Sequence, residues 1–174
     1  MIESIWYNKE IPVRTVWLPI NTYKNLHPIK QVYGVCFTND KKIMIIRNPL
    51  GNGEFTPWYL PGGTPEENET PEKTLIREVD EEADISISNL KMLGTFEVFY
   101  SYDPDKKLPS PVYQLRYFAM IDEIGKQTLD PHDNKMVERK LVPAEEVTNY
   151  IEWGTVGEAL FETAIKEFAS LSKD

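Results

Sequence analysis

Cysteine is all but missing from this chain: one residue, Cys36, in 174. A lone thiol has no internal disulfide partner, and Cys36 reads as a buried core residue in a reducing compartment. Histidine is nearly as scarce. His27 and His132 have no neighbour at metal-ligand spacing and read as ordinary surface or loop residues. Long apolar runs are absent. None approaches the roughly 18 residues a membrane helix needs, so no membrane partner is expected. The opening MIESIWYNKEIP has neither a basic nor an apolar leader segment, which points to a cytoplasmic protein. Basic stripes are lacking too, in a chain of net charge −9. Without them a long nucleic acid is not an expected partner.

What is present is a local excess of acid. The nineteen positions from Glu66 to Asp84 hold nine acidic and two basic side chains, so this segment contributes −7 of the −9. The rest of the chain is nearly balanced, with nineteen acidic and seventeen basic residues. Like charges at helical neighbour spacing repel, so the crowding needs an offset. A divalent cation would supply one.

Periodicity places the elements around that segment. VYGVCF (Val32–Phe37) and IMIIR (Ile43–Arg47), joined by NDKK, read as a β-hairpin. NPLGNGEFTP reads as a loop, and WYL as a brief strand ending at Pro61-Gly62-Gly63. Pro71 to Ala83 is the helix candidate. Lys91–Tyr102 and Val112–Ile121 read as strands and Glu138–Val142 as a weaker one. A short helix starts near Pro143, and Val156, Leu160, Phe161, Ala164, Ile165 and Phe168 mark an amphipathic C-terminal helix. Residues 1–30 form an arm with one or two extra strands, rich in aromatics and punctuated by Pro12, Pro19 and Pro28; residues 31–174 form the main domain. The arm either covers that domain or pairs across a homodimer.

The helix candidate has matched start signals. Thr70 suits the N-cap, Pro71 the first helical position, and Glu72 the positive end of the helix dipole. At 100° per residue from Leu75, Val79, Ala83 and Ile76 fall at ~40°, ~80° and ~100°, an apolar face. Glu81, Glu78 and Glu82 fall at ~240°, ~300° and ~340°, so three carboxylates share one arc. Arg77 lies within i,i+4 reach of Glu81. The arc follows a Gly-Gly loop, where backbone can approach a ligand closely. Clustered carboxylates suit hard cations such as Mg²⁺, which take oxygen ligands and keep waters for substrate phosphates.

These residues carry a family resemblance. Gly63 is followed after five residues by Glu69, and after seven more by Arg77-Glu78, then Val79, Asp80, Glu81-Glu82, Ala83, Asp84 and Ile85. The pattern resembles the Nudix box in every specified position but one: Asp84 stands where the family has glycine. Glycine there closes the helix in the left-handed conformation, which Asp tolerates less well, so Asp84→Gly is expected to stabilise modestly. The resemblance implies an α/β fold, a Nudix-type α/β/α sandwich with a mixed β-sheet, here with the N-terminal arm added. It implies a MutT-like hydrolase that uses Mg²⁺ or Mn²⁺ to cleave a nucleoside diphosphate linked to another moiety, a small-molecule nucleotide-type substrate. By position Glu78, Glu81 and Glu82 look like the metal carboxylates, with the Gly62 carbonyl a further ligand. Arg77 would hold a glutamate in place, and Glu69 would be its structural partner. Glu78 is the leading general base; Glu123 and Glu138 lie where some members carry a base outside the box.

Substrate contacts are less determined. Trp58, Phe99, Tyr100 and Tyr102 are candidates to stack a base, and Arg47 to meet phosphate. Tyr102 stands roughly where diadenosine-polyphosphate hydrolases of the family carry a tyrosine; Pro104 stands slightly later than the proline of ADP-ribose hydrolases. Two other classes use the same fold. An isopentenyl-diphosphate-type isomerase needs a catalytic cysteine, and Cys36 lies on a strand well before the box. A silent nucleotide-binding or sensor domain usually loses box glutamates, and this chain keeps them.

Overall fold

A computed structural model describes residues 1–103, 105–107, 109–132 and 134–171, which leaves Pro104 outside the described residues. The elements run β1 (Ile2–Asn8), β2 (Ile11–Leu18), β3 (Ile29–Phe37), β4 (Lys42–Arg47), β5 (Gly62–Gly63), α1 (Pro71–Ala83), β6 (Ile85–Tyr100), β7 (Val112–Ile124) and β8 (Glu138–Pro143), then a 3₁₀ turn (Ala144–Asn149) and α2 (Gly154–Leu171). The strands form one mixed sheet in the order β1-β2-β6-β7-β3-β4-β8, with β5 paired to β3. The β3–β7 pairing is parallel and the β3–β4 hairpin antiparallel.

Period-2 alternation sorts each strand between two cores. From β3 and β4, Val35, Phe37, Ile43 and Ile45 pack with Val156, Leu160 and Phe161 of α2. Their neighbours Val32, Cys36, Met44 and Ile46 pack with Leu75, Val79 and Ala83 of α1. The two helices thus cover opposite faces, an α/β/α sandwich. Cys36 is fully buried, and desolvation pushes its thiol up to about 12. No helix among the described residues is long and apolar enough to cross a membrane.

The arm continues the sheet. β2 pairs with β6 along Val13–Leu18, and β1 pairs with β2. The Trp6 indole N–H donates to the Thr15 hydroxyl at 3.1 Å, and the Thr155 hydroxyl donates to the Glu3 carbonyl at 2.6 Å. The second bond ties the arm to the first turn of α2.

Several boundaries differ from those the periodicity predicts. β6 begins at Ile85 rather than Lys91, because a bulge between Ser88 and Lys91, with Asn89 at φ 52°, interrupts an ISIS alternation that is itself a strand signal. It ends at Tyr100, before the left-handed Ser101. WYL contributes only the bridge between Tyr59 and Ile46, whereas the glycine pair after it forms β5. The buried face of α1 is rotated from the predicted one. Ile76 is 48% exposed, and Thr74 takes the buried place, its hydroxyl donating to Glu69 Oε2 at 2.8 Å.

The N-terminal end of α1 is as its residues dictate. Thr70 accepts from the Lys73 N–H at 3.4 Å, and Pro71 opens the first turn. The C-terminal end corrects the expectation for Asp84. Its backbone is left-handed, φ 48° and ψ 47°, so glycine would relieve about 1 kcal/mol. The carboxylate, however, accepts from the Thr128 N–H at 3.0 Å and from the Thr128 hydroxyl, and lies 3.8 Å from Arg139 Nη1. Losing hydrogen bonds to a charged acceptor outweighs the backbone gain. Asp84→Gly is therefore predicted to destabilise by about 1–2 kcal/mol, with Asp84→Asn in between. Thermal denaturation checks this; a higher melting temperature for the glycine variant would contradict it.

Candidate active site

The site starts with two glycines that have no room for a side chain. Gly62 sits at φ 143°, and a Cβ there would lie 2.2 Å from the Val32 carbonyl oxygen and 2.7 Å from Tyr33 Cα. At Gly63 a Cβ would fall 2.3 Å from the Glu78 carboxyl carbon. The loop is thus flattened against β3 on one side and receives Glu78 on the other.

Arg77 organises the acidic arc. Its Nε and Nη2 donate to the two oxygens of Glu69, each at 3.0 Å, a bidentate pair. Its Nη1 donates to Glu78 at 2.9 Å and to Glu81 at 3.2 Å, and Nη2 also reaches the Thr64 carbonyl at 3.2 Å. Glu69 is further held by the Glu66 N–H at 3.0 Å and the Thr74 hydroxyl at 2.8 Å. Arg77, helped by these donors, holds the Glu69 carboxyl down at about 2, although burial opposes it. Glu69 and Thr64, outside the helix, thereby lock the helix to its preceding loop.

Two carboxylates shift the other way. Burial raises Glu78 above the usual carboxylate range, with Arg77 opposing and Glu81 and Glu69 adding. Glu82 is pushed up to about 8, chiefly by burial; the Gly62 N–H, donating at 3.0 Å, opposes, and the charges of Glu78, Asp130 and Glu81 add. The segment is thus over-supplied with negative charge at one point, the wall of a cavity of about 560 Å³. Gly62, Gly63, Arg77, Glu78, Glu81 and Glu82 line it, together with Asn48, Asp130 and His132.

The donor set fits a hard cation, being oxygen throughout apart from His132. Among the described residues no three acidic, imidazole or thiol groups form a finished cage. The reason is visible: Glu78 and Glu81 are turned onto Arg77, and Glu82 onto the Gly62 N–H. Metal binding requires these carboxylates to exchange such contacts for the ion.

Asp130, Asn48 and His132 belong to the cavity but not to the sequence-based expectation, which left His132 on an ordinary loop. Asp130 closes a tight turn, its carboxylate accepting from the His132 N–H at 2.7 Å. The turn signal DP was legible; its approach to α1 was not. Conversely, Arg47, Trp58 and Tyr102 do not line the acidic cavity. Arg47 is spent on Glu138, at 2.9 Å and 2.8 Å, and lies between the Phe55 and Trp58 rings, 4.3 Å and 4.5 Å from their centroids. This also occupies Glu138. Tyr102 lies beside Arg14, 5.8 Å from guanidinium to ring, and its N–H donates to the Pro12 carbonyl at 2.9 Å. Phe99 is buried beneath Arg14, Tyr100 pairs with Val13 on β2, and Glu123 pairs with Ser86 at the other end of the β6–β7 ladder.

Comparison with known proteins places the chain in a family. A sequence model described as NUDIX domain matches residues 28–167. An 8-oxo-dGTP diphosphatase of Proteus vulgaris is 37% identical over 62 residues, 36% of this chain and 55% of that protein. An RNA pyrophosphohydrolase of Nitratiruptor sp. is 26% identical over 100 residues, 54% of this chain and 63% of that protein. The chain thus spans a little over half the length of these curated relatives. Among solved structures, the Bacillus subtilis pyrophosphohydrolase BsRppH superposes with a TM-score of 0.66 at 20% identity, covering 96% of this chain and 98% of that one. A MutT protein from Methanosarcina mazei superposes at 0.51 and 16% identity, covering 84% and 96%. At such identities the structural likeness speaks for the fold alone.

The Arg77 network generates a stability prediction. Its guanidinium is 24% exposed, so solvent screening reduces what a fully buried pair would lose. Arg77→Gln is expected to cost about 1–3 kcal/mol in urea denaturation, with a coupling to Glu69→Gln of about 1 kcal/mol. Additive effects of the two substitutions would contradict the bidentate pair as the lock.

Proposed function

The chain belongs to the NUDIX domain family, and on that premise we propose that it is a divalent-metal-dependent pyrophosphohydrolase cleaving a phosphoanhydride in a nucleotide derivative. One observation carries the reading: Glu78, Glu81 and Glu82 line a single cavity together with the Gly62-Gly63 loop. The names of the two curated relatives, a diphosphatase and a pyrophosphohydrolase, support the bond type.

In this reading Glu78, Glu81 and Glu82, with the Gly62 carbonyl, would hold Mg²⁺ or Mn²⁺. When bound, such an ion neutralises pyrophosphate charge and makes a water more acidic. Glu78 accepts the proton of the attacking water. The water oxygen bonds to phosphorus, the bridging P–O bond breaks, and the electron pair leaves with the departing phosphate. Arg77 positions Glu78 and Glu81 without touching substrate. Asn48 and His132, which line the same cavity, would donate to phosphate oxygens.

The test is bridge cleavage with Mg²⁺ across 8-oxo-dGTP, dNTPs, ADP-ribose, NADH, diadenosine tetraphosphate and nucleotide sugars. At least one member is expected to be cleaved by the native protein. Glu82→Gln should lose about 100-fold or more in kcat while keeping its circular dichroism spectrum. Near-native turnover in that variant would remove the metal site as assigned. No cleavage by the native protein, with ligands still raising the melting temperature, would favour a binding domain.

A further inference from the structure

A second cavity, of about 750 Å³, lies under the arm, and Trp6, Tyr33, Phe96, Trp153, Gln114 and Arg116 are among its walls. Arg116 is its anomaly. It is 2% exposed, yet no carboxylate among the described residues lies within ion-pair distance of it. Five N–H groups are available, and two are spent: Nη1 donates to the Leu115 carbonyl at 3.1 Å and Nη2 to Gln114 Oε1 at 2.9 Å. Nε is buried with no partner. Rings surround the cation, with Phe96 at 4.2 Å, Tyr33 at 4.8 Å and Trp153 at 5.4 Å. Burial accordingly presses its pKa down. A buried arginine that served packing alone would be expected to hold a carboxylate, because a desolvated charge is costly without one.

We propose that this cavity binds a 6-oxopurine base, with Arg116 reading its acceptor edge. The proposal rests on the pyrophosphohydrolase reading only for the location of the phosphates. The β3–β5 ladder links the walls of the two cavities. Tyr33, in the second, pairs through its backbone with Gly62, in the first. Tyr59 lines the second cavity, and the charges of Glu82 and Asp130 in the first help to raise its pKa. A nucleotide with its phosphates among the carboxylates would extend past these tyrosines toward Arg116. Aromatic walls suit a planar ring better than a tetrahedral phosphate. A guanidinium offers donors only, which matches the adjacent O6 and N7 acceptors of an oxopurine. Adenine would place its amino group, a donor, against those donors.

Binding is measured by calorimetry in EDTA, so neither metal nor turnover enters, using GMP, IMP, 7-deaza-GMP and AMP. GMP and IMP should bind alike, whereas AMP and 7-deaza-GMP should each bind about tenfold or more weakly. Arg116→Gln, if folded, should reduce the GMP-to-AMP ratio to near one. The ligand series on the native protein decides the matter even if that variant does not fold. Equal binding of all four, binding of none, or an unchanged ratio in folded Arg116→Gln would overturn the proposal. Discrimination without any cleavage in the metal-dependent panel would leave it standing and sink the hydrolase reading instead.

Discussion

The bidentate grip of Arg77 on Glu69 is the interaction on which the acidic helix depends. Five hydrogen bonds from one guanidinium reach Glu69 twice, Glu78, Glu81 and the Thr64 carbonyl, which exhausts its donors. The remaining carboxylates of the helix and its cap, Asp80 apart, are met one by one. Glu72 sits in the first turn, near the positive end of the helix dipole, and accepts from the Tyr117 hydroxyl at 2.7 Å. Asp84 accepts from Thr128, and Glu82 from the Gly62 N–H. Asp80 faces solvent. Repulsion that would unsettle an isolated helix of this composition is thus answered by specific donors, several of them from outside the helix.

The same arrangement leaves the site poised rather than satisfied. Glu78 and Glu82 carry raised pKa values because burial and mutual charge are only partly offset. A structure optimised for stability alone would pair these groups fully or replace them. Perturbed carboxylates gathered in one cavity are what the proposed site requires. The glycine pair belongs to the same logic: only a loop without side chains brings Glu78 flush against backbone.

How much of this was legible in the sequence depends on the range of each contact. Thr70, Pro71, Arg77 and the carboxylate arc lie within one helix and its cap, so spacing and helical geometry are enough to bring them together, whereas Glu69 as the partner of Arg77 was expected from the family resemblance. The sandwich was expected from the resemblance of the box, whereas alternation and the amphipathic stripe of α2 made the separate elements legible. Ile76 misled because helical phase assigns a face by hydrophobicity, whereas Thr74 is drawn inward by its bond to Glu69. Asp130, Asn48 and His132 come from distant loops and carry no shared spacing. Arg47 and Trp58 were legible as a cation and an aromatic near a loop, but not as partners of each other. Arg116 lies in the run VYQLRYFAMI and carries no motif or spacing that marks it; its burial comes with the aromatic rings packed around it from other elements.

The measurement that bears most directly on the account is a Mn²⁺ titration of the native protein followed by melting temperature, with Glu78→Gln, Glu81→Gln and Glu82→Gln alongside. If the arc is a cation site restrained by Arg77, Mn²⁺ raises the native melting temperature in a saturable way, and each variant loses most of that rise while remaining folded. A native protein indifferent to Mn²⁺, or variants that respond as it does, would mean that the carboxylates form a charged surface and not a metal centre.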